Sequence, residues 1–202
     1  MADTLDRPGP HPTGSGPDTT GTADRPAGPA SGEVVALAAV QGAVVNPATV
    51  RVARAMSLFG EHAAGWLAIG LAGAALDRPR RREWLGSAAA VVFAHGASIG
   101  VKRVVRRRRP EHPTVRVLVG TPSRLSFPSS HATSTTAAAI LYAGLLGRSA
   151  RAGAAATVAT MALSRLVLGV HYPTDVATGT ALGAAVAVGA RRTISRTPTT
   201  GG

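Results

Sequence analysis

The chain has no cysteine, and aromatic residues make up only 3% of it: three Phe, two Trp and two Tyr. Without cysteine there are no disulfides, thiolate nucleophiles or thiolate-held metals, and the redox compartment stays open. Hydrophobic residues nevertheless reach 45%, so the apolar mass is Ala, Val, Leu and Gly. That composition makes a poor soluble core but suits membrane helices that approach one another through small side chains. Acidic residues are also scarce: 10 Asp+Glu stand against 22 Lys+Arg, a net charge of +12. The basic residues are clustered, which suits anionic headgroups, phosphate substrates or nucleic acid. Long apolar runs fall at the short end of the ~17 to 25 residues that cross a bilayer.

The 202 residues are enough for one domain of ordinary size. Residues 1–30 are rich in Pro, Gly, Thr and Asp. They lack the apolar core of a signal peptide and read as a disordered tail. Residues 195–202 repeat that composition, leaving a domain over 31–194. A short helix is expected over 32–45, interrupted at Asn46-Pro47, followed by an interfacial helix over 48–59 with Arg51 and Arg54 on one face. Apolar runs follow at 62–76, 84–101, 132–146, 153–170 and 176–190. Five such runs in series, separated by arginine clusters, predict an all-α integral membrane bundle of about five spans, or six if 34–50 also crosses. Gln41 and Asn46-Pro47 weigh against the sixth. Arginines sit on both sides of these runs. Setting aside those suited to a substrate places the Arg78 to Arg82 side in the cytoplasm, and the remaining clusters face the extracytoplasmic side.

Three of those clusters carry chemistry-bearing residues. SRLVLGVHYPTD, residues 164–175, sets Arg165, His171 and Asp175 at the end of an apolar segment. Pro173 favours a new helix there, so His171 closes one helix and Asp175 opens the next. An aspartate accepting one ring N–H leaves the other nitrogen free as a nucleophile or base. The same residues also read as two helix caps at a wet membrane surface. KRVVRRRRP, residues 102–110, puts Lys102 and Arg109 two helical turns apart, about 10 Å along one face. They suit a multiply charged anion, while Arg106, Arg107 and Arg108 read as a solvated, lipid-attracting run. A nucleic-acid reading of these arginines lacks both a known binding motif and interleaved aromatics. SFPSSHATSTT, residues 126–136, opens a helix with Ser129 or Ser130 as N-cap and His131 in the first turn. Such a start binds anions, although ordinary capping would use the same residues. Thr133 to Thr136 read as polar packing between helices. His62 reads as facing the interface. His95 lies on the Lys102 stripe and reads equally as pocket lining or as an interhelical hydrogen bonder. His11 and His112 carry no signal.

The three stretches together resemble the type 2 phosphatidic acid phosphatase superfamily, whose signature is KxxxxxxRP, PSGH and SRxxxxxHxxxD. Here they stand as KRVVRRRRP, PSSH (128–131) and SRLVLGVHYPTD, with Ser130 replacing the usual glycine. The resemblance implies that His171 attacks phosphorus and Asp175 orients it, with His131 protonating the leaving alcohol. It further implies that Lys102, Arg109, Ser129, Ser130 and Arg165 bind the phosphate, with no metal or other cofactor. The implied partners are a lipid-linked phosphate substrate and membrane lipids, not nucleic acid. GEHAAGW (60–66) and GTPSRLSFPSSHATSTTAAA (120–139) are similar to the bacterial branch acting on decaprenylphosphoryl-5-phosphoribose. The resemblance thus implies a polyprenyl-linked sugar phosphate, against the alternatives of phosphatidic acid, phosphatidylglycerophosphate or undecaprenyl diphosphate.

Overall fold

A computed structural model describes residues 30–194, and the two expected tails lie outside the described residues, apart from Ala30. Among the described residues the chain is helical, with seven α-helices and no strand. α1 (Gly32–Val44) starts where Ser31 accepts the amide of Val34. α2 (Pro47–Phe59) starts with a capping box between Asn46 and Thr49, with Pro47 at its first position. The two helices are bent 118° from one another. One turn of 3-10 helix (Glu61–Ala63) leads into α3 (Ala64–Leu76), and a second (Arg78–Arg80) leads into α4 (Arg81–Val105). α5 (Ser130–Leu146), α6 (Ala150–Val167) and α7 (Pro173–Ile194) follow. The helices occupy the stretches expected of the apolar runs.

α5 is the central element and packs against α7, α4 and α6. Its residues from Ala132 to Ala139 are all buried, and they are only Ala, Ser and Thr. Small side chains let α7 come close. A Cβ at Gly179 would lie 2.5 Å from the Ser129 carbonyl oxygen, and one at Gly183 would lie 2.3 Å from that of Thr133. No other residue fits at those two positions without parting the helices. Four of the scarce aromatics pack in two pairs beside this core. Trp84 and Tyr142 rings lie 5.4 Å apart, and Trp66 meets Phe59 edge to face at 4.7 Å. Their polar atoms are satisfied: Trp66 Nε1 donates to Thr135 Oγ1 at 3.1 Å, and Tyr142 donates to the Trp66 carbonyl at 2.9 Å.

The surface reverses the soluble pattern. Ile69, Leu71 and Leu76 of α3 and Val92 and Phe93 of α4 are exposed, while the hydroxyls of α5 are inside. α4 with its lead-in turn, Arg78–Val105, is long and apolar enough to cross a bilayer alone, and α1 with α2 qualifies only as a bent pair. α3 has 13 residues, about 20 Å of helix against a ~30 Å hydrocarbon core. The face of α2 away from Arg51 is not left to lipid. Ala53 and Ser57 are buried against α6, and Arg54 reaches the Leu118 carbonyl at 2.9 Å. Gln41, the polar residue that argued against a span, is buried and clamps two segments. Its amide nitrogen donates to the carbonyls of Arg116 and Val167 at 2.8 and 3.1 Å, and its oxygen accepts the Arg116 amide at 2.9 Å.

Two expected helix ends move. α4 stops at Val105 rather than near Arg109, because Arg106 turns left-handed (φ 54°) while its amide closes on the Lys102 carbonyl. α6 stops at Val167 rather than at His171. Gly169 takes φ 69° there, against the Arg116 carbonyl, which only glycine permits.

Candidate active site

Because α4 ends early, Lys102 and Arg109 do not share a helical face; pairing within the loop brings Arg109 to the site instead. Residues 106–129 double back so that the Arg109 amide meets the Arg124 carbonyl at 3.1 Å and the Ser126 amide meets that of Arg107 at 2.8 Å. Arg109 Nε then donates to the Ser123 carbonyl at 2.8 Å and Nη1 to that of Val170 at 2.6 Å. This fixes the guanidinium beside the His171 ring, with Nη1 3.3 Å from Nε2. Since arginine only donates, Nε2 holds the lone pair and Nδ1 carries the hydrogen.

On the other edge of the ring, Nδ1 lies 3.5 Å from Asp175 Oδ2, a close contact rather than a formed hydrogen bond. Asp175 sits in the first turn of α7, fully buried, with Oδ2 accepting the Tyr172 amide at 2.8 Å. Its Oδ1 accepts from Arg107 Nη1 at 3.0 Å. Arg107 therefore does not belong to a solvated run. It also pairs with Glu33 of α1, donates to Thr174 Oγ1 at 2.7 Å and stacks 4.0 Å over the Tyr172 ring. The left-handed turn at Arg106 is what points Arg107 back toward this carboxylate, and the basic run gives no sign of it.

Ser129 is the N-cap of α5, with Oγ accepting the Ala132 amide at 3.4 Å. It is fully buried and takes no part in lining the cavity. Its own amide donates to the Asp175 carbonyl at 2.9 Å, tying two of the motifs together through backbone. Ser130 begins the helix and lines the cavity with ordinary negative φ, so the position does not require the glycine of the PSGH signature. His131 follows, with Nε2 3.0 Å from the Ser57 carbonyl. Donation to that carbonyl leaves Nδ1 as the ring atom able to exchange a proton. Arg165, buried at the end of α6, donates to Ser164 Oγ and Ser57 Oγ at 3.1 Å each. Ser57 thus supports both Arg165 and His131. Its only sequence signal is that Ala53 and Ser57 are small residues four apart on α2. Lys102 Nζ, also buried, donates to the carbonyls of Leu125, Ser126 and Pro128 at 3.3, 3.1 and 2.9 Å. It holds the strand-like approach to Ser129 as well as facing the cavity.

These groups surround one cavity of about 290 Å³, lined by Lys102, Arg109, Ser130, His131, Arg165 and His171 and continued by Ser57, Glu61, His62 and His95. His62 lines this cavity rather than only an interface, and His95 lines it too. Burial pushes the His171 imidazole down to about 3, against the pull of Asp175 and aided by Arg109 and Lys102. Its ring is therefore neutral at physiological pH. Burial lowers Arg109 to about 10, opposed by Asp175, so that it remains a cation at neutral pH. A neutral imidazole with its lone pair in a pocket of three fixed cations, beside a second imidazole, is suited to attack an anionic phosphoryl group. No group of three or more acidic or histidine ligands able to hold a metal ion exists among the described residues.

The chain is similar to several known proteins. The decaprenylphosphoryl-5-phosphoribose phosphatase of Mycolicibacterium smegmatis is 58% identical over 149 residues, covering 73% of this chain and 81% of that protein. The protein of the same name from Mycobacterium tuberculosis (strain ATCC 25618 / H37Rv) is 53% identical over 156 residues, 77% of this chain and 86% of its own. Two solved structures share the fold. The transmembrane PAP2 type phosphatidylglycerolphosphate phosphatase from Bacillus subtilis superposes with a TM-score of 0.67 at 20% identity, covering 83% of this chain and 88% of its own. Aquifex aeolicus LpxE gives 0.66 at 16% identity, covering 78% and 94%. The family profile described as PAP2 superfamily matches residues 83–198, which contain all three motifs, and the chain belongs to that superfamily.

Proposed function

We propose that the chain is a multi-pass membrane phosphatase that hydrolyses the phosphate monoester of a polyprenyl-linked sugar phosphate, of the decaprenylphosphoryl-5-phosphoribose type, through a phosphohistidine. The observation that carries this reading is the meeting of three sequence-distant motifs at one cavity, with Arg109 Nη1 3.3 Å from His171 Nε2. His171 Nε2 attacks phosphorus as the bond to the leaving oxygen breaks, and Asp175 stabilises the charge that develops on the ring. Arg109 and Arg165 bind the phosphoryl oxygens with Ser130, and Lys102 exchanges one loop carbonyl for a further oxygen. Ser129 serves by holding the helix start in place. His131 Nδ1 takes the proton of the phosphate monoanion and passes it to the leaving alcohol, then takes one from the water that cleaves the P–N bond and releases phosphate.

The exposed apolar faces of α3 and α4 support a membrane location, and the distribution of arginines supports an extracytoplasmic active site. The names of the relatives that cover most of this chain favour the pentose phosphate over other lipid phosphates. The test is phosphate release from a panel of polyprenyl and glycerolipid phosphates, with and without chelator. The pentose phosphate is expected to be turned over fastest, unaffected by chelation. His171→Asn is expected to abolish both turnover and acid-labile phosphate on the protein. Phosphatidic acid or undecaprenyl diphosphate turned over much faster would overturn the substrate assignment, and near wild-type hydrolysis by His171→Asn would overturn the mechanism.

A further inference from the structure

We infer that Glu61, His62 and His95 form a hydroxyl-binding subsite beside the phosphoryl site that takes the sugar ring of the substrate, an assignment that rests on the reading above. The cavity has two chemically distinct walls. One is the cationic wall of Lys102, Arg109 and Arg165; the other carries Glu61, His62 and His95. The second adjoins the proton donor. A Cβ at Gly60 would lie 2.8 Å from His131 Cδ2, so Glu61 begins one residue from contact with that ring. The group leaving from phosphorus must pass His131, and what lies beyond the ring is this second wall.

A carboxylate there does not serve an anion. It repels phosphate but accepts hydrogen bonds from hydroxyls. Glu61 Oε1 lies 3.5 Å from His62 Nδ1, and the rings of His62 and His95 are 6.3 Å apart, so three polar groups meet at the open rim of the cavity, where the His62 and Glu61 side chains are 76% and 40% exposed. His95 sits two turns before Lys102 on α4, about 10 Å along the helix toward its middle. Its Nδ1 is buried and has no hydrogen-bond partner. A lipid tail packed against this wall would strip water from the Glu61 carboxylate and leave the His95 nitrogen unsatisfied, which is costly in an apolar setting. Vicinal hydroxyls would satisfy both. The backbone supports the same conclusion, because His62 and Ala63 adopt φ of 49° and 59° between α2 and α3. Two consecutive non-glycine residues in that region are unfavourable, and here they bring Glu61 and His62 to the rim of the cavity instead of continuing a helix. In a pentose 5-phosphate the leaving oxygen is one carbon from the ring, so the ring would lie against these residues while phosphorus lies against His171.

The test uses the full chain in phospholipid nanodiscs with farnesylphosphoryl-5-phosphoribose, its 2-deoxy-pentose analogue and phosphatidic acid, comparing wild type, Glu61→Gln and His95→Asn. For wild type, kcat/KM for the pentose is expected to exceed that for the deoxy analogue by about tenfold or more. Each substitution is expected to shrink the preference for pentose over phosphatidic acid by about 10- to 100-fold, mainly through KM. Glu61→Gln combined with the deoxy substrate is expected to lose little beyond either change alone. A wild type that prefers the pentose, with variants that retain the preference, would overturn the subsite and leave the substrate reading standing. A wild type that prefers phosphatidic acid would overturn both. Equal losses on all three substrates would place the residues in folding or catalysis and overturn the subsite.

Discussion

Replacing Arg107 with glutamine tests whether the fixing of Asp175 matters to the reaction. Asp175 is fully buried, and of its oxygens Oδ1 depends on Arg107 at 3.0 Å while Oδ2 accepts the Tyr172 amide and lies 3.5 Å from the His171 ring. Loss of a charge-assisted hydrogen bond to a buried carboxylate costs about 1.5–3 kcal/mol. At about 1.4 kcal/mol per tenfold, that is roughly 10- to 150-fold in rate if it all appears at the transition state. The Arg107 side chain is 29% exposed, so solvent screens part of the effect and the lower range applies, about 10- to 30-fold in kcat. KM is expected to hold, since Arg107 does not line the cavity. Lysine at this position restores the charge but not the fork that reaches Glu33 and Asp175 together, so Arg107→Lys is expected to recover only part of the loss. Glu33→Gln cuts the tie to α1 and leaves the Asp175 bond, with an expected loss under about threefold. Initial rates of phosphate release across substrate concentrations decide the matter. A kcat for Arg107→Gln within threefold of wild type would refute the reasoning, as would a Glu33→Gln loss of equal size.

Gly183→Ala would set a methyl 2.3 Å from the Thr133 carbonyl and is expected to cost about 1–3 kcal/mol, seen as a lower thermal midpoint in detergent. Gly189→Ala on the same helix meets nothing within 4 Å and is expected to leave the midpoint unchanged or slightly raised. Gln41→Leu removes three hydrogen bonds at once and is expected to destabilise by about 2 kcal/mol or more while exposing the loop after His112 to protease, read by limited proteolysis. Between the usual histidine value near 6.5 and about 3, the unfolded chain binds a proton at His171 that the folded chain refuses, so stability rises with pH across that window. Acidification from pH 7 to 4 is expected to lower the thermal midpoint, and His171→Asn to flatten that slope; identical slopes would show that the buried ring does not carry this dependence.

The helices and the order of the motifs were legible because hydrophobic runs, caps and Pro173 act locally. The cap at Ser129 and the first-turn place of Asp175 follow from rules spanning three or four residues. What was not legible depends on long-range placement. Arg109 was expected on the Lys102 face because nothing in RRRR announces that Arg106 leaves the helix, a turn usually marked by glycine or asparagine. Its partners, Ser123, Val170 and His171, come from two other segments. Arg107 looked like its neighbours in the sequence and is separated from them by one Asp175 carboxylate 68 positions away. Ser57 supports two site residues only because α2 folds onto α6, which no periodicity in α2 specifies.

The backbone bond from Ser129 to Asp175, reinforced by the bare glycine face of α7, welds the acid end and the base end of the reaction into one block. Neither half can tilt to admit a bulky lipid without breaking main-chain contacts. Accommodation therefore falls to the opposite side, where α2 gives way to α3 and the polypeptide is already unwound, so the chemistry keeps its geometry while the doorway adapts.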